Sequence, residues 1–310
     1  MSSREIRGLE NVSFESAVVY TILEEIGRGG MGVVYLAERS CMGVSDLVVL
    51  KSIRSVSSEE EAQLLKEANV ATRLRHENIV KTYGLEALPY SALPDDVRRD
   101  IGSRKTDLEP PPERPRLRRG QRKEAPDPRH RLRSASVMMP SVQEKKLLLI
   151  VMDYVDGLDL LSVFLSHMKG GYLVPPLLCA FIITRICRAL AYAHEYIIHR
   201  DISLDNIMID RHGVCRLSDF GIAAAATDEA SRQIAGKTIY MAPEVYSGGT
   251  VDERIDVFGL GVCLYQMLTG IMPLWTDPEQ PFEKQEEEVR SQLAAGIPPP
   301  HEVRTDVPEE

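Results

Sequence analysis

A stretch of twelve residues, Ile197 to Met208, constrains this chain more than any other part of its sequence. It reads I-I-H-R-D-I-S-L-D-N-I-M, so that an acid, Asp201, and an amide, Asn206, stand five residues apart. An apolar run leads into the segment, which indicates a loop held on a buried core. The acid can accept a proton, and the amide oxygen can hold a hard metal ion. The stretch therefore predicts a loop that carries a general base and a metal ligand.

A glycine-rich turn lies far upstream of this loop. The strand-like run V-V-Y-T-I-L-E-E-I leads into G-R-G-G-M-G at residues 27–32, and V-V-Y-L-A-E follows. Gly27, Gly29 and Gly32 would let bare backbone N–H groups approach phosphate oxygens. Taken alone, this spacing also marks dinucleotide sites and ordinary hairpin turns. A dinucleotide site needs a helix after the turn, whereas β-branched residues follow here, which favours strand, turn and strand.

Three charged residues extend the pattern. Lys51 ends the apolar strand D-L-V-V-L-K, Glu67 lies in a predicted helix over residues 58–75, and Asp219 begins D-F-G. Glu67 could reach back to Lys51 and hold its ammonium group against phosphate oxygens. A solvated lysine at a strand end and one more charge on an exposed helix face are the alternatives. In this order the parts favour a phosphoryl-transfer site.

Composition limits the remaining possibilities. The net charge of −9 over 310 residues argues against nucleic acid as the main partner, and the apolar runs are of the length expected for a core, shorter than a bilayer span needs. Five cysteines without metal-ligand spacing indicate reduced thiols and a cytoplasmic protein. Residues 1–17 are polar, carry no signal peptide and are predicted to be a disordered leader.

The segment 89–146 differs in composition from the rest of the chain. It is rich in proline and arginine and contains 15 Lys and Arg against 9 Asp and Glu, a balance of +6 that leaves −15 for the other residues. Such a composition cannot bury a core, so we predict a disordered insertion between two strands. Within it, R-L-R-S-A-S at residues 131–136 is either a phosphoacceptor or docking segment or a plain solvated loop.

Together these motifs resemble the eukaryotic-type (Hanks-type) Ser/Thr protein kinases, and most closely their bacterial branch. I-G-R-G-G-M-G-V-V-Y, V-V-L-K, H-E-N-I-V, V-M-D-Y-V-D-G, H-R-D, D-F-G and Y-M-A-P-E follow one another in the order of that family, over about residues 18 to 300. The resemblance implies an α+β, two-lobed fold. A small antiparallel-sheet lobe would occupy residues 18–152, a hinge 153–157, and a helical lobe 158–310 that stops before the closing helices of the family.

The resemblance also implies roles for individual residues. Asp201 would be the catalytic base, Lys51 would bind the phosphates, and Glu67 would orient Lys51. Asn206 and Asp219 would bind Mg²⁺. The remaining ATP-binding positions would surround the phosphates and the adenine: Ile26, Gly27, Gly29, Gly32, Val34, Val49, Met152, Asp153, Val155 and Met208.

Two positions depart from the family pattern. Ser203 stands where the family usually has a lysine that touches the transferring phosphate, and Lys237 stands where it usually has threonine. We hypothesise that the cation has moved and that Lys237 acts as a catalytic residue near Asp201. The alternative is a lysine that faces solvent.

The resemblance implies ATP- and Mg²⁺-dependent phosphorylation of Ser and Thr hydroxyls on proteins, including the chain itself. The tyrosine-kinase form of the catalytic loop is absent from the sequence. A pseudokinase or ATP-binding scaffold is the first alternative. Ser203 and the expected lack of the closing helices favour it, and the intact Lys51, Asp201, Asn206 and Asp219 oppose it. A kinase-fold enzyme for small molecules is the second, although such enzymes usually lack a peptide-docking segment like Y-M-A-P-E at residues 240–244.

Overall fold

The computed structural model describes residues 13–15, 18–29, 32–53, 58–89, 146–220, 238–246, 251–277 and 279–309. Lys237, residues 90–145 of the predicted insertion and most of the predicted leader lie outside these ranges. The described chain forms a lobe rich in strands, followed by a lobe rich in helices. This is the order that the sequence predicts.

Six antiparallel strands form the sheet of the first lobe. In chain order they are β1 (Ser13–Glu15), β2 (Val19–Gly29), β3 (Gly32–Cys41), β4 (Val44–Ile53), β5 (Thr82–Pro89) and β6 (Lys146–Asp153). In space they lie in the order β1-β2-β3-β4-β6-β5. Pro89 pairs with Lys146, so both predicted end residues of the insertion belong to strands. The segment 90–145 therefore connects two neighbouring strands of one sheet.

The strand β1 lies inside the stretch that the sequence predicts to be a disordered leader. Its residues pair with the edge of β2, with Ser13 opposite Thr21 and Glu15 opposite Val19. The leader prediction is therefore corrected at residues 13–15. Three residues are too few to show a periodic pattern, and the strand exists because β2 offers an unpaired edge.

Side chains alternate along β4 and so divide the two faces of the sheet. Val48 and Leu50 are completely buried in the core on one face. Ile53 packs on the other face against Leu64 of α1 (Ser58–Ala71), in a cluster to which Val49 also contributes. Lys51 lies between Val49 and Ile53 in the alternation, so the sheet directs Lys51 to the face that α1 covers.

The second lobe is built around a buried helix, α5. Its elements are β7 (Gly157–Asp159), α2 (Leu160–Lys169), α3 (Pro176–Ala193), β8 (Ile207–Asp210), β9 (Cys215–Leu217), α4 (Pro243–Tyr246), α5 (Arg254–Thr269), α6 (Phe282–Ala295) and α7 (Pro300–Val303). Leu260, Cys263 and Met267 of α5 share one core with α3 and with the strands β8 and β9. Short 3₁₀ turns occupy Leu204–Asn206 and Thr238–Tyr240.

One helix of the described part, α3, is long and apolar enough by length and composition to cross a membrane, with a mean hydropathy of 1.5 over 18 residues. Core helices of soluble proteins meet the same criterion, so this finding is weak evidence for a membrane span. It nevertheless qualifies the sequence-based expectation that no segment could span a bilayer.

Replacing Gly32 with alanine is expected to lower the free energy of unfolding by about 2 kcal/mol or more. Gly32 has a φ of 150°, and a Cβ atom there would overlap the carbonyl oxygen of Ser52. Ser52 cannot simply withdraw, because its hydroxyl accepts a hydrogen bond from Val33 N at 2.8 Å. Urea denaturation measures the change.

Gly27→Ala is the matched control from the same turn. A Cβ atom at Gly27 would lie 3.7 Å from Val34 Cβ, which is an ordinary contact. An equal loss of stability in both variants would show that the close approach at Gly32 is not the cause.

Candidate active site

The catalytic loop predicted from the sequence has the geometry of a fixed acid and amide pair. Asn206 is buried, and its Nδ2 donates hydrogen bonds to the Asp201 backbone oxygen at 2.7 Å and to Asp201 Oδ2 at 2.9 Å. The backbone oxygen of Asn206 accepts in turn from Ser218 N at 2.9 Å. Since Nδ2 is committed to Asp201, the amide oxygen of Asn206 is the atom that can serve as a metal ligand.

A residue that the sequence analysis does not single out, Asp256, anchors this loop from α5. Its carboxylate is 1% exposed and accepts hydrogen bonds from His199 N at 2.8 Å and Arg200 N at 2.7 Å. The ring of His194 contacts the same carboxylate, with Nε2 2.8 Å from Oδ2. Arg200 has a positive φ of 67°, a conformation that costs energy in a residue other than glycine. The carboxylate of Asp256 therefore stabilises a strained turn directly before Asp201.

Lys51 and Asp219 meet across the two lobes. Lys51 Nζ lies 2.9 Å from Asp219 Oδ1, and both side chains are largely withdrawn from solvent. Asp219 has a φ of 60°, and the neighbouring Phe220 is buried against the ring of His199 with ring centroids 4.6 Å apart. The predicted phosphate-binding lysine and a predicted metal ligand thus face one another.

The expected ion pair between Glu67 and Lys51 is not formed in this structure. Glu67 Oε1 accepts a hydrogen bond from Gln63 at 3.0 Å and lies 4.0 Å from Arg200 Nη1, whereas Lys51 contacts Asp219. Glu67 Oε2 is buried and has no hydrogen-bond partner among the described residues. Burial raises the pKa of Glu67, and Gln63 and Arg200 oppose this effect. The helix position of Glu67 is as predicted, but its partners in this structure are Gln63 and Arg200 instead of Lys51.

A Glu67→Gln variant is expected to gain stability relative to the parent chain as the pH rises. Burial raises the pKa of Glu67, so ionisation costs more in the folded chain than in the unfolded one. Below about pH 4 the carboxyl is protonated in both states and the two proteins should respond alike. Above the folded pKa only the parent carries the cost. Urea denaturation from pH 4 to pH 8 measures the difference, and a constant difference over that range would contradict it.

The predicted adenine-binding residues line one region of the lobe boundary. Val49 pairs with Met152 in the sheet, and Val49 and Met208 pack against the cluster that contains Met152 and Val155. The backbone N–H of Asp153 donates to Lys81 O at 2.9 Å. These apolar side chains come from both lobes and from the connection between them.

The predicted phosphate-binding glycines form the end of a hairpin beside Lys51. Gly27 pairs with Val34 and Gly29 with Gly32, and Val34 pairs in turn with Lys51 of the next strand. Ile26, at a bulge of β2, is 45% exposed. The sheet therefore brings the glycine turn close to the lysine, as the sequence predicts.

Ser203, the departure from the family pattern, is 1% exposed, and its hydroxyl has no hydrogen-bond partner among the described residues. A buried hydroxyl of this kind supplies no positive charge to the loop. Lys237, the proposed replacement, lies outside the described residues, and Thr238 directly after it is buried.

Comparisons with known proteins agree with this geometry. A family model described as protein kinase domain matches residues 134–309, and one described as protein tyrosine and serine/threonine kinase matches residues 20–91. The crystal structure of the Mycobacterium tuberculosis PknI kinase domain is similar, with a TM-score of 0.59 at 21% identity, covering 97% of this chain and 86% of that chain. This likeness confirms the predicted two-lobed fold.

Curated relatives from bacteria are among the matches. The probable serine/threonine-protein kinase PknB of Bifidobacterium longum is 29% identical over 289 residues, which cover 90% of this chain and 34% of that protein. The tyrosine-protein kinase MasK of Myxococcus xanthus is 34% identical over 174 residues, 52% of this chain and 26% of that protein. The chain spans between 16% and 34% of the length of the first curated relatives that it matches. The resemblance drawn from the motifs is confirmed, and the chain belongs to the protein kinase family.

Proposed function

We propose that this chain transfers the γ-phosphoryl group of Mg-ATP to serine and threonine hydroxyls of proteins. One observation carries the proposal: Lys51 of the sheet lobe contacts Asp219 of the helical lobe at 2.9 Å, beside a loop in which Asn206 fixes Asp201. Phosphoryl transfer depends mainly on positioning and on neutralising charge, so a cation and acids fixed in this way suit it.

The donor set fits a magnesium ion. Asn206 offers its amide oxygen because Nδ2 is engaged with Asp201, and Asp219 offers a carboxylate. Both are hard oxygen ligands, and Mg²⁺ commonly uses one or two such protein groups together with substrate phosphates. The bound ion would neutralise charge on the β- and γ-phosphates. Lys51 would release part of its contact with Asp219 and bind phosphate oxygens.

The remaining residues have roles in binding and proton transfer. Asp201 accepts the proton of the substrate hydroxyl, in an orientation that Asn206 maintains. The glycine turn offers backbone N–H groups to the phosphates. Val49, Met152 and Met208 enclose the adenine, while the backbones of Asp153 and Val155 hydrogen-bond its edge. Glu67 would have to exchange Arg200 for Lys51 in order to orient the lysine.

Lys237→Thr is expected to slow phosphoryl transfer about tenfold to a hundredfold. Lys237 would supply the positive charge that the buried Ser203 cannot, so its loss removes a charge-assisted contact near Asp201. Initial rates with saturating Mg-ATP measure the effect. Lys237→Arg keeps the charge and should retain most of the activity. A Lys237→Thr protein as active as the parent would remove this role for Lys237.

A transfer assay tests the proposed function. A synthetic peptide of residues 128–139 contains Ser134 and Ser136, each with Arg133 or Arg131 close before it, and a second peptide carries tyrosine at both serine positions. Incubation with labelled Mg-ATP should phosphorylate the serine peptide and leave the tyrosine peptide unlabelled. Labelling of the tyrosine peptide alone would overturn the choice of acceptor. Nucleotide binding without transfer to any protein or peptide would favour the pseudokinase alternative.

The proposal extends to the cellular compartment and the partners of the protein. The five cysteines are free in the structure, which supports a reducing compartment such as the cytoplasm, where ATP is available. Protein substrates, including other copies of the chain, would be its partners. Mapping phosphorylated residues in the purified chain after exposure to ATP tests autophosphorylation.

A further inference from the structure

A buried glutamine on α6, Gln285, holds the chain that runs past the catalytic loop. The hydroxyl of Thr238 donates a hydrogen bond to Gln285 Oε1 at 2.9 Å, and Gln285 Nε2 donates to the backbone oxygen of Gln280 at 2.8 Å. Thr238 is 2% exposed and Gln285 is 6% exposed. An amide is the group that can accept on one side and donate on the other, so both ends of this side chain are fixed.

Thr238 begins a segment, Thr238–Glu244, that we call the docking segment because it contains the motif Y-M-A-P-E. Two further contacts attach it to α5. Tyr240 OH donates to Gln266 Oε1 at 2.9 Å. A Cβ atom on Gly259 would lie 3.4 Å from Tyr240 O and 3.1 Å from Ile202 Cβ, so this glycine allows both chain segments to approach α5 closely.

The same helix therefore anchors the catalytic loop, through Asp256, and the docking segment, through Gln266 and Gly259. Gln285 adds an independent contact from α6 at the first residue of the docking segment. Without it, the docking segment would keep its attachment at Tyr240 but lose the buried hydrogen bond between Thr238 and Gln285. A small displacement there would move the docking segment while leaving the nucleotide residues in place.

We propose that Gln285 is a positioning residue for the protein substrate. By holding Thr238 it fixes the docking segment relative to Asp201, and so sets peptide affinity rather than nucleotide affinity. This inference rests on the proposed function, since it concerns the protein-binding side of the same site. Gln285 itself belongs to none of the sequence motifs that identify the family.

Gln292, one further glutamine of α6, provides a matched control. Its Oε1 accepts from Trp275 N at 2.9 Å, and its Nε2 donates to Trp275 O at 2.6 Å. Each glutamine thus accepts with its amide oxygen and donates with its amide nitrogen, Gln292 to Trp275 on both sides and Gln285 to Thr238 and Gln280. Of these two glutamines, Gln285 is the one that hydrogen-bonds the docking segment within the described ranges, so the comparison separates positioning of the substrate from general support of the helix.

The test compares Gln285→Leu, Thr238→Val and Gln292→Leu with the parent. The probe is the peptide of residues 128–139 with both serines replaced by alanine, and fluorescence anisotropy gives its Kd without any catalysis. Gln285→Leu and Thr238→Val should each weaken peptide binding about tenfold, the effect of one buried hydrogen bond. The affinity for Mg-ATP should stay within about twofold of the parent value. The double variant Gln285→Leu/Thr238→Val should bind the peptide no more weakly than either single variant, because both changes remove the same hydrogen bond.

Gln292→Leu should lower Tm and leave the peptide Kd unchanged. Steady-state assays with the serine peptide should show the same split, with a higher KM for peptide and an unchanged KM for ATP. Any of three results would overturn the inference. Gln285→Leu and Gln292→Leu could bind the peptide equally well, peptide and nucleotide affinity could fall by equal factors, or the parent chain could fail to bind the probe. A parent that binds the probe but transfers no phosphate would instead contradict the proposed function, and the ratio of affinities would still decide the role of Gln285.

Discussion

Replacing Asp201 with asparagine is expected to slow phosphoryl transfer by about a thousandfold while leaving the affinity for Mg-ATP close to that of the parent. Asparagine has almost the same shape as aspartate but cannot accept the proton of the attacking hydroxyl. Asn206 Nδ2 can still donate to the backbone oxygen of residue 201, a contact of 2.7 Å in the parent, so the loop should keep its conformation. Single-turnover rates with the serine peptide and calorimetric titration with nucleotide measure the two quantities.

The control for this prediction is Asp252→Asn. Asp252 lies just before α5 and pairs with Arg254 at 2.7 Å, outside the catalytic loop. Its loss should change the transfer rate little, because an exposed ion pair outside the catalytic loop contributes little. Retention of more than a tenth of the parent rate by Asp201→Asn would show that Asp201 is not the base.

Asp256→Ala is expected to lower the free energy of unfolding by about 3–5 kcal/mol and to abolish measurable transfer. The carboxylate accepts hydrogen bonds from the backbone of His199 and Arg200 and contacts the ring of His194. Its removal leaves buried donors without a partner and releases the strained conformation of Arg200, whose φ is 67°. Urea denaturation measures stability, and the peptide assay measures transfer.

Asp256→Asn refines the same prediction. The asparagine keeps one acceptor oxygen but turns an amide N–H₂ toward a backbone donor or the ring of His194. We expect a loss of stability between those of the parent and Asp256→Ala. If Asp256→Ala unfolds at the same urea concentration as the parent, the anchoring role of this carboxylate is refuted.

The catalytic loop could be predicted from the sequence because its chemistry is local. Asp201 and Asn206 are five residues apart, and a short 3₁₀ turn brings the amide onto the acid. Likewise the glycine turn and the strand that ends at Lys51 follow from alternation within one hairpin and its neighbour. Residue type and spacing alone determine these contacts.

Other features depend on packing between distant elements, which spacing does not encode. Asp256 is 56 residues from Arg200 and acts through the close fit of α5 beneath the loop. The acid stands within a mainly apolar run, and that is the signal in the sequence that could have indicated a buried polar contact. Gln285 reaches Thr238 over 47 residues for the same reason.

The sequence and the fold together do not determine which cation pairs with Glu67. Its place in α1 follows from helical periodicity, but its partner depends on how the helix is rotated and shifted against the sheet. In this structure Arg200 is the nearby cation at 4.0 Å, and one carboxylate oxygen is buried without a partner. A small movement of α1 would decide between Arg200 and Lys51.

Calorimetric titration of the chain with ATP, with and without Mg²⁺, tests the central claim most directly, namely that Lys51, Asn206 and Asp219 together hold a magnesium nucleotide. We expect a Kd between about 1 µM and 1 mM with Mg²⁺, and clearly weaker binding without Mg²⁺ or after Asp219→Asn. A well-folded chain with no measurable affinity for Mg-ATP, or with an affinity that Asp219→Asn leaves unchanged, would contradict the account.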